Sequence, residues 1–386
     1  MSDTARLLLL EQLPHVGPVT VGRLVQTFGS AQAALAASDD AFAAATERGS
    51  AGREAAAARR DPELRASVRR ALKRARAAGM VVVTWDDPEY PAGLHHLADP
   101  PPLLFLHGRM ELLARTPTVT IVGARRSTAR GRATAERLGA ALGRAGACVV
   151  SGLALGIDGA AHAGALRAGG DTVAVLGAGP DVAYPRFHRR MHAEIRSRGL
   201  LVSEFPPGTE AAPHHFPRRN RILAALAGAV VVVEAGRRSG SLITVDHALD
   251  LGKEIWAVPG PIDTAVCAGS NRLLADGARP LVSVDGFVER VMSGTERTAP
   301  AQEPDASAPG TDPSDAGSAS MADAHADAGN TLEERILSAL REGPAAADEL
   351  AARFEAPIAT VLALLTTLEL HGEVERLAGT RFRRAA

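Results

Sequence analysis

Short apolar runs alternate with amphipathic segments through the middle of the chain, from about residue 118 onward. The runs are TVTIVG, CVVSG, TVAVLGAG, LLVSEF, AVVVVEAG, EIWAVPG and PLVSV, and segments such as GRATAERLGAALGRAG lie between them. Strands that are apolar on both faces and joined by helices are typical of a parallel sheet covered on both sides. The pattern therefore predicts a doubly wound, Rossmann-like α/β fold with a parallel sheet.

The amino-terminal segment, residues 1–80, has helical apolar spacing and is rich in alanine and arginine. Within it we expect Leu13, Val16 and Val19 to pack inward, and Gly17 to permit a tight turn between two helices. This turn resembles a helix-hairpin-helix or SAM-like arrangement, whose amides can face a DNA phosphate, and a plain helical bundle fits it equally well. The prediction is a small helical domain, which a Pro-rich bridge, DDPEYPAGLHHLADPPPLLFLHG, connects to a central domain of residues 81–292.

The carboxyl-terminal segment, residues 331–386, has three helical patterns followed by the alternating stretch EVERLAGTRFRR. Three helices and a hairpin are the elements of a winged helix. Its predicted recognition helix has no Arg or Lys from Ala356 to Leu370, which is unusual for reading a DNA groove. We interpret it as a protein-contact or weak DNA-binding domain, whose basic candidates lie in the wing: Arg376, Arg381, Arg383 and Arg384.

An acidic segment, residues 293–330, separates the central domain from the winged helix. From Thr295 to Asn330 it contains seven acidic residues and one arginine, and it cannot bury enough apolar surface to offset the entropy of ordering. We predict a disordered linker. Because the chain's formal net charge is −1, setting aside this segment's −6 leaves +5 elsewhere, so an anionic partner must be argued from local clusters.

Composition excludes several classes of protein. The 386 residues are 46% hydrophobic and 23% charged, as in ordinary globular proteins of about two to three domains. No run of about eighteen apolar residues and no signal-peptide pattern occurs, so we expect a cytoplasmic protein without a membrane association. Two cysteines, Cys148 and Cys267, are too few for a disulfide framework, and no residue spacing suggests a metal site.

Glycine, serine and arginine follow nearly every predicted strand of the central domain. The carboxyl ends of such strands face the ligand, and the following helices direct free N–H groups there, so an anion is expected. The turn GARRSTARG is not G-x-G-x-x-G and no P-loop lysine occurs, which disfavours a dinucleotide. Several arginines in one groove suit the phosphates of a polynucleotide, and Phe216 offers a stacking face for an unpaired base. The arginines are Arg125, Arg126, Arg218, Arg219, Arg221, Arg237 and Arg238.

Two alternatives stay open on the residues alone. In the first, the arginines are solvated loop charges and the aromatic ring belongs to the core. In the second, the chain is a nucleotide-binding or nucleotide-hydrolysing enzyme. Phosphoribohydrolases of related fold have P-G-G-x-G-T-x-x-E, and here Gly240 and Ser241 match Gly-Thr, but Thr244 replaces the catalytic glutamate. Glu234 and Asp158 are the remaining carboxylates, and pairing with an arginine or with helix N–H groups explains each of them.

Six blocks resemble, in order, signatures of the DprA/Smf family, DNA-processing protein A. They are IVGARRSTARG, VVSGLALGIDGAAHAGAL, SEFPPG, HHFPRRNRIL, VVVEAGRRSGSLIT and NRLLADGA, and the resemblance runs from about Asp86 to Val291. It implies an extended Rossmann-like domain that binds single-stranded DNA and forms a homodimer. It also implies a protein that protects incoming DNA during natural transformation and helps to load the RecA recombinase. Neither catalysis nor a cofactor is expected.

The resemblance also implies a DNA-binding site. Residues 218–221 and 239–241 would form opposite walls of a phosphate pocket, and Phe216 would contact a base. The family commonly has an asparagine at the position of His188, which leaves the contribution of this loop open, although Arg186, Arg189 and Arg190 could supply phosphate contacts. The implied DNA-binding residues are Gly123, Arg125, Ser151, Gly152, Phe216, Arg218, Arg219, Asn220, Arg221, Ser239, Gly240 and Ser241.

Overall fold

The computed structural model describes residues 1–46, 49–296 and 332–354, the positions 356, 361 and 368, and residues 364–365, 373–376 and 381–384. These residues form two compact units, one within 1–302 and the other within 303–386. In the described part of the first unit, a group of amino-terminal helices precedes a nine-stranded sheet and the helices that cover it.

The elements of the first unit follow the chain in this order. The amino-terminal helices are α1 (Asp3–Glu11), α2 (Pro18–Phe28), α3 (Ala31–Ala36), α4 (Asp39–Thr46), α5 (Ser50–Ala58) and α6 (Pro62–Ala77). The strands are β1 (Val81–Thr84), β2 (Leu103–Gly108), β3 (Thr118–Val122), β4 (Cys148–Ser151), β5 (Thr172–Val175), β6 (Leu200–Ser203), β7 (Ala229–Val232), β8 (Glu254–Ala257) and β9 (Arg279–Pro280). The remaining helices are α7 (Ala129–Ala145), α8 (Ile157–Arg167), α9 (Arg189–Arg198), α10 (His215–Ala225), α11 (Ser241–Asp250), α12 (Ala268–Ala275) and α13 (Val284–Glu296).

The strand order across the sheet is β1-β2-β6-β5-β4-β3-β7-β8-β9. Neighbouring strands are parallel from β6 to β9, whereas β2 is antiparallel to both β6 and β1. Helices join successive parallel strands and the order reverses between β3 and β7, so the predicted doubly wound, Rossmann-like fold is confirmed. The predicted strand PLVSV is wrong in extent, because only Arg279–Pro280 pairs with β8 and the backbone turns into α13 at Val284.

The Pro-rich segment that the sequence analysis interpreted as a bridge contains the strand β2. Every residue from Leu103 to Leu106 is buried, so β2 is covered on both faces. Leu104 and Leu106 belong to the core of the sheet, while Leu103 and Phe105 pack with the core of the amino-terminal helices. Strands β1 and β2 therefore extend the sheet beyond its parallel part and hold the helices against one face of the extension.

The turn between α1 and α2 has the predicted position but a different backbone basis. Leu13 and Val16 are buried as expected, whereas Val19 is 57% exposed, so that part of the prediction is wrong. Gly17 has an extended backbone, with φ −112° and ψ −179°, and the left-handed residue of the turn is His15, with φ 61°. The helix packs through residues three apart, and Val19 lies off this stripe. The buried residues of α2 are Pro18, Val21 and Leu24.

The second unit has the elements of the predicted winged helix. They are α14 (Leu332–Glu342), β10 (Ala345–Ala346), α15 (Ala347–Arg353), β11 (Val374–Arg376) and β12 (Arg381–Arg384), with the strand order β10-β12-β11. In the wing, Arg383 donates to Glu375 at 2.6 Å. The buried core includes Ile336, Leu340, Leu350, Val361, Leu365, Leu368 and Phe382. Most of the predicted recognition helix, and the predicted linker from residue 297 onward, lie outside the described residues, and α13 continues to Glu296.

Two further predictions concern the class of protein. Among the described helices, none is long and apolar enough to span a bilayer. No group of three or more His, Cys, Asp or Glu residues within the same part of the chain is arranged to hold a metal ion. Cys148 and Cys267 are buried thiols, and burial raises the pKa of Cys148 to about 12, as is typical of cysteines that serve packing.

Candidate functional site

A cavity of about 560 Å³ lies beyond the carboxyl ends of β3 and β7, where the strand order reverses. This is the position at which doubly wound folds bind ligands. The loops after β3 and β4 and the first turns of α10 and α11 form its walls. Of the predicted binding residues, the cavity is lined by Gly123, Arg125, Phe216, Arg219, Asn220, Ser239, Gly240 and Ser241.

Helices α10 and α11 begin side by side at this cavity. The Asn220 side-chain amide donates to the Gly240 carbonyl at 3.0 Å and so ties α10 to the turn before α11. In that turn the hydroxyls of Ser239 and Ser241 are 2.8 Å apart. Neither helix has an N-cap side chain that accepts from its first turn. At the start of α11, Ser239 accepts from the Ser241 N–H through its hydroxyl, at 3.5 Å, and from the Leu242 N–H through its carbonyl, at 3.1 Å.

Phe216 is half-buried in the first turn of α10, at the wall of the cavity. The guanidinium carbon of Arg125 lies 4.6 Å from the centroid of the Phe216 ring. The centroids of the Tyr184 and Phe216 rings are 5.5 Å apart, and the two rings are tilted relative to each other. A guanidinium over an aromatic ring is a cation–π contact. The structure therefore joins one predicted phosphate-binding residue and one predicted base-contacting residue in a single cluster, which we call the Arg125 cluster (Arg125, Tyr184 and Phe216).

Arg219 lines the cavity, but its side chain is buried and not exposed to solvent. It lies within α10, is 3% exposed, and donates to the carbonyls of Gly152, at 2.8 Å, and Val175. A Cβ at Gly152 would lie 2.5 Å from the guanidinium, so only glycine leaves room for this contact. Burial lowers the pKa of Arg219 to about 10, and the nearby carboxyl of Asp158 acts in the opposite direction. Arg219 thus joins the wall of the site to the loop after β4.

The two remaining residues after β4 do not line the 560 Å³ cavity. Ser151 is fully buried, and its hydroxyl donates to the Ile121 carbonyl at 2.6 Å, which connects β4 with β3. Gly152 lines a smaller, mainly apolar cavity of about 50 Å³ on the other side of Phe216. Ser151 thus joins two strands that end at the site, and the Gly152 carbonyl holds the guanidinium of Arg219.

Arg218 and Arg221 belong to a buried ionic cluster away from the cavity, and not to its wall. Arg221 is almost fully buried, and its guanidinium donates to Glu204 at 2.5 Å and lies 3.1 Å from Asp99. Arg218 donates to Glu11, at the end of α1, at 2.6 Å and lies 3.1 Å from Glu204. The two arginines therefore hold α10 against the amino-terminal helices and the end of β6.

The pKa of Glu11 is raised to about 7, first by burial and second by the charge of Glu204. Arg218 opposes this rise. Because the pKa of Glu11 is higher in the folded protein, proton binding to this carboxyl stabilises the fold. This stabilisation is fully present below the ordinary pKa of 4.5 and is lost as the pH rises towards 7.

Replacing Glu11 with glutamine is expected to change the pH dependence of stability. Relative to Glu11→Gln, the parent protein should lose on the order of 1 to 3 kcal/mol of unfolding free energy between pH 4.5 and 7, because the parent must ionise a buried carboxyl. Urea unfolding of both proteins across this range measures the difference. Glu289→Gln, at an exposed position of α13, should run parallel to the parent. A constant difference between the parent and Glu11→Gln would contradict a buried Glu11 of raised pKa.

Exposed arginines follow the two strands at whose ends the cavity lies, and of these Arg125 lines the cavity itself, whereas Arg237 lines a separate cavity beside α12. Arg125 and Arg126 follow β3, and Arg237 and Arg238 follow β7. Within the described residues none of these four side chains makes a hydrogen bond or an ion pair, and Arg125 makes the cation–π contact described above. Their charges are therefore available to an anion outside the cavity.

The carboxylates considered for catalysis are differently placed. Asp158 is buried at the cavity wall, where it accepts from the Ala154 N–H at 3.4 Å, and burial raises its pKa. Glu234 lines a separate cavity of about 270 Å³ and accepts from the Thr128 N–H at 2.8 Å and hydroxyl at 2.6 Å, at the start of α7. Thr244 lines the main cavity. Of the two carboxylates, Asp158 is thus the one that lies at the 560 Å³ cavity.

Tyr184 is the site residue that sequence reasoning missed. It lines the 560 Å³ and the 50 Å³ cavities and contacts Phe216. It lies in the loop after β5, which was considered only for its basic residues. An aromatic residue in a strand-end loop beside several arginines was the available signal.

Comparisons with known proteins agree with this architecture. Residues 81–292 match the family described as DNA recombination-mediator protein A, and residues 320–380 match the DprA winged helix domain. Protein Smf of Synechocystis sp. is 34% identical over 319 residues, 78% of this chain and 79% of that protein. The X-ray structure of DNA processing protein A from Streptococcus pneumoniae superposes with a TM-score of 0.61 at 30% identity and covers 75% of this chain and 98% of that one. A structure of DNA processing protein A from Helicobacter pylori, which addresses its single-stranded DNA binding mode, superposes with a TM-score of 0.51 at 28% identity. It covers 56% of this chain and 98% of that one.

Proposed function

Since the chain belongs to the DNA recombination-mediator protein A family, also called DprA/Smf, we propose that it binds single-stranded DNA and acts as a recombination mediator. The strand lies in the 560 Å³ cavity, which we call the groove. In this role it protects incoming DNA during natural transformation and helps to load the RecA recombinase. We further propose that it works as a homodimer in the cytoplasm, without a cofactor and without catalysing a reaction.

The Arg125 cluster is the observation that carries this proposal. It combines an exposed cation, which suits a phosphate, with an aromatic ring that suits an unpaired base, at the mouth of one groove. A single-strand site needs both features, because the backbone supplies electrostatic attraction and the unpaired bases supply stacking faces. The H. pylori relative, whose structure addresses single-stranded DNA binding, has the same fold and supports this interpretation.

The arrangement of charge favours a strand over a mononucleotide. Unpaired arginines follow both β3 and β7, the neighbouring strands at whose ends the groove lies, and one nucleotide would leave most of them without a phosphate. The hydrolase alternative would need a catalytic carboxylate in the groove, and the candidate there is Asp158, whose buried oxygen already accepts a backbone N–H. The geometry therefore supports binding over hydrolysis.

A binding titration tests the proposal. Homopolymer single strands of increasing length and the matching mononucleotides are titrated against the protein at several salt concentrations. We expect affinity to rise with strand length and to fall steeply with salt, because each neutralised phosphate releases counterions. Tight mononucleotide binding with little salt dependence, or release of a hydrolysis product, would support the enzyme alternative.

Replacing Arg125 with alanine is expected to weaken single-strand binding and to lower the slope of log affinity against log salt by about one unit, as for one lost phosphate contact. Because the side chain is exposed, the midpoint of unfolding should stay unchanged. Arg144→Ala is the matched control: it removes an exposed arginine from the last turn of α7, whose first turn lies on the Arg125 side. Equal slopes for the two variants would move the phosphate contact elsewhere.

A further inference from the structure

The turn formed by residues 186–190, which we call the Phe187 turn, carries an exposed aromatic side chain among arginines. Phe187 is 84% exposed, although burying such a ring is normally favourable by about 1.5 to 3 kcal/mol. Arg186, Arg189 and Arg190 are also exposed, and none of them makes a hydrogen bond or an ion pair with a described residue. The two acids nearest in sequence are already paired, Asp181 with Arg74 at 2.6 Å and Glu194 with Arg198 at 2.7 Å. The turn is thus a basic surface around one unpartnered ring.

The ring of Phe187 is supported from below by His188. Its centroid lies 5.5 Å from the centroid of the His188 ring, and His188 is buried with its Nδ1 3.0 Å from the Leu153 carbonyl. The loop after β4 therefore anchors the residue on which Phe187 rests.

The Phe187 turn is continuous with the Arg125 cluster. Tyr184 contacts Phe216 and lines the groove, and it precedes Phe187 by three residues, so their Cα atoms are at most about 11 Å apart. An exposed ring alone is common on proteins and predicts nothing. Here the ring lies among unpaired arginines and next to the Arg125 cluster. Proteins bind unpaired strands by stacking bases on aromatic rings while basic side chains contact the neighbouring phosphates.

We propose that Phe187 is a second base-stacking residue, and that the strand bound in the groove continues over the Phe187 turn, where the arginines contact its phosphates. This inference rests on the proposed function and adds to it a longer footprint on the strand. The ligand on the turn is a further stretch of the same unpaired strand, with no requirement for a particular base, because every base has a face that can stack.

The test is a series of oligothymidylates from about 4 to about 20 nucleotides, a range that spans known site sizes for single-strand binding folds. Phe187→Ala should lower affinity about 5- to 100-fold for the longest strands and leave the shortest, which fill only the groove, unchanged. Phe187→Tyr should retain the affinity for long strands, whereas Phe187→Leu should not, because stacking needs a ring. Arg190→Ala should reduce the salt slope by about one unit for long strands alone.

Leu249→Ala is the matched control, since Leu249 is a 59% exposed apolar residue at the far end of α11 from the groove. It should bind all strands like the parent, and the unfolding midpoints of all variants should coincide. If the parent binds single strands normally, two results would overturn the inference and leave the proposed function standing. In the first, Phe187→Ala loses the same affinity at every strand length; in the second, it loses none at any length. A parent that binds no single strand would overturn both.

Discussion

Arg221→Ala should lower the free energy of unfolding of the first unit by about 3 to 5 kcal/mol, the usual result of removing one partner of a buried ion pair. The reason is that Glu204, whose side chain is fully buried, would lose its 2.5 Å contact and keep only the longer one to Arg218. Urea unfolding followed by circular dichroism measures the change. Although its position in the sequence suggested a DNA contact, Arg221 should act on binding mainly through this loss of fold.

Two controls separate a buried pair from an ordinary one. Arg272→Ala removes the partner of Asp276 in an exposed pair 3.4 Å apart, and should cost less than about 1 kcal/mol. The double variant Arg221→Met with Glu204→Leu should recover much of the lost stability, because packed apolar side chains replace both charges. Similar losses for Arg221→Ala and Arg272→Ala would mean that water reaches the cluster.

Phe216→Ala should weaken single-strand binding by about 1 to 3 kcal/mol, the usual contribution of one base stacked on an aromatic ring. The salt slope should hardly change, because the substitution removes no phosphate contact, and the preference for single strands over duplex should narrow, because duplex DNA hides its base faces. Fluorescence anisotropy with labelled strands at several salt concentrations measures all three quantities.

Phe216→Leu serves as its control, because it keeps an apolar side chain against Gly177 while it removes the aromatic face. It should fold like the parent and bind like Phe216→Ala. A double-mutant cycle with Arg125→Ala should also be non-additive, because the guanidinium and the ring touch. Full affinity in Phe216→Leu would contradict stacking and would assign the ring a packing role.

The parallel part of the fold could be predicted because its strands are buried on both faces and alternate with amphipathic helices. Strand β2 could not, since prolines and loop residues surround its short apolar run and its partner β6 lies about a hundred residues further along the chain. Antiparallel pairing over that distance leaves no local pattern. The disordered acidic linker was predicted from composition alone, and it stays a prediction because most of the segment lies outside the described residues.

The candidate site was predicted in part, for a similar reason. Strand-end position identifies Arg125, Phe216 and residues 239–241, because the carboxyl edge of a parallel sheet gathers them at one place. Position cannot tell a free arginine from a paired one. The partners of Arg218 and Arg221 lie in α1, before β2 and after β6, up to 207 residues away in the sequence, so only the folded structure reveals that these two arginines are already paired.

The two faces of β2 couple the unfolding of the two cores of the first unit. One strand lies between two cores, with Leu103 and Phe105 in the core of the amino-terminal helices and Leu104 and Leu106 in the core of the sheet. Neither core can open without baring one side of the same strand to water. The helices of residues 1–80 therefore cover the outer edge of the sheet, and we expect the helices and the sheet to unfold together as one cooperative unit.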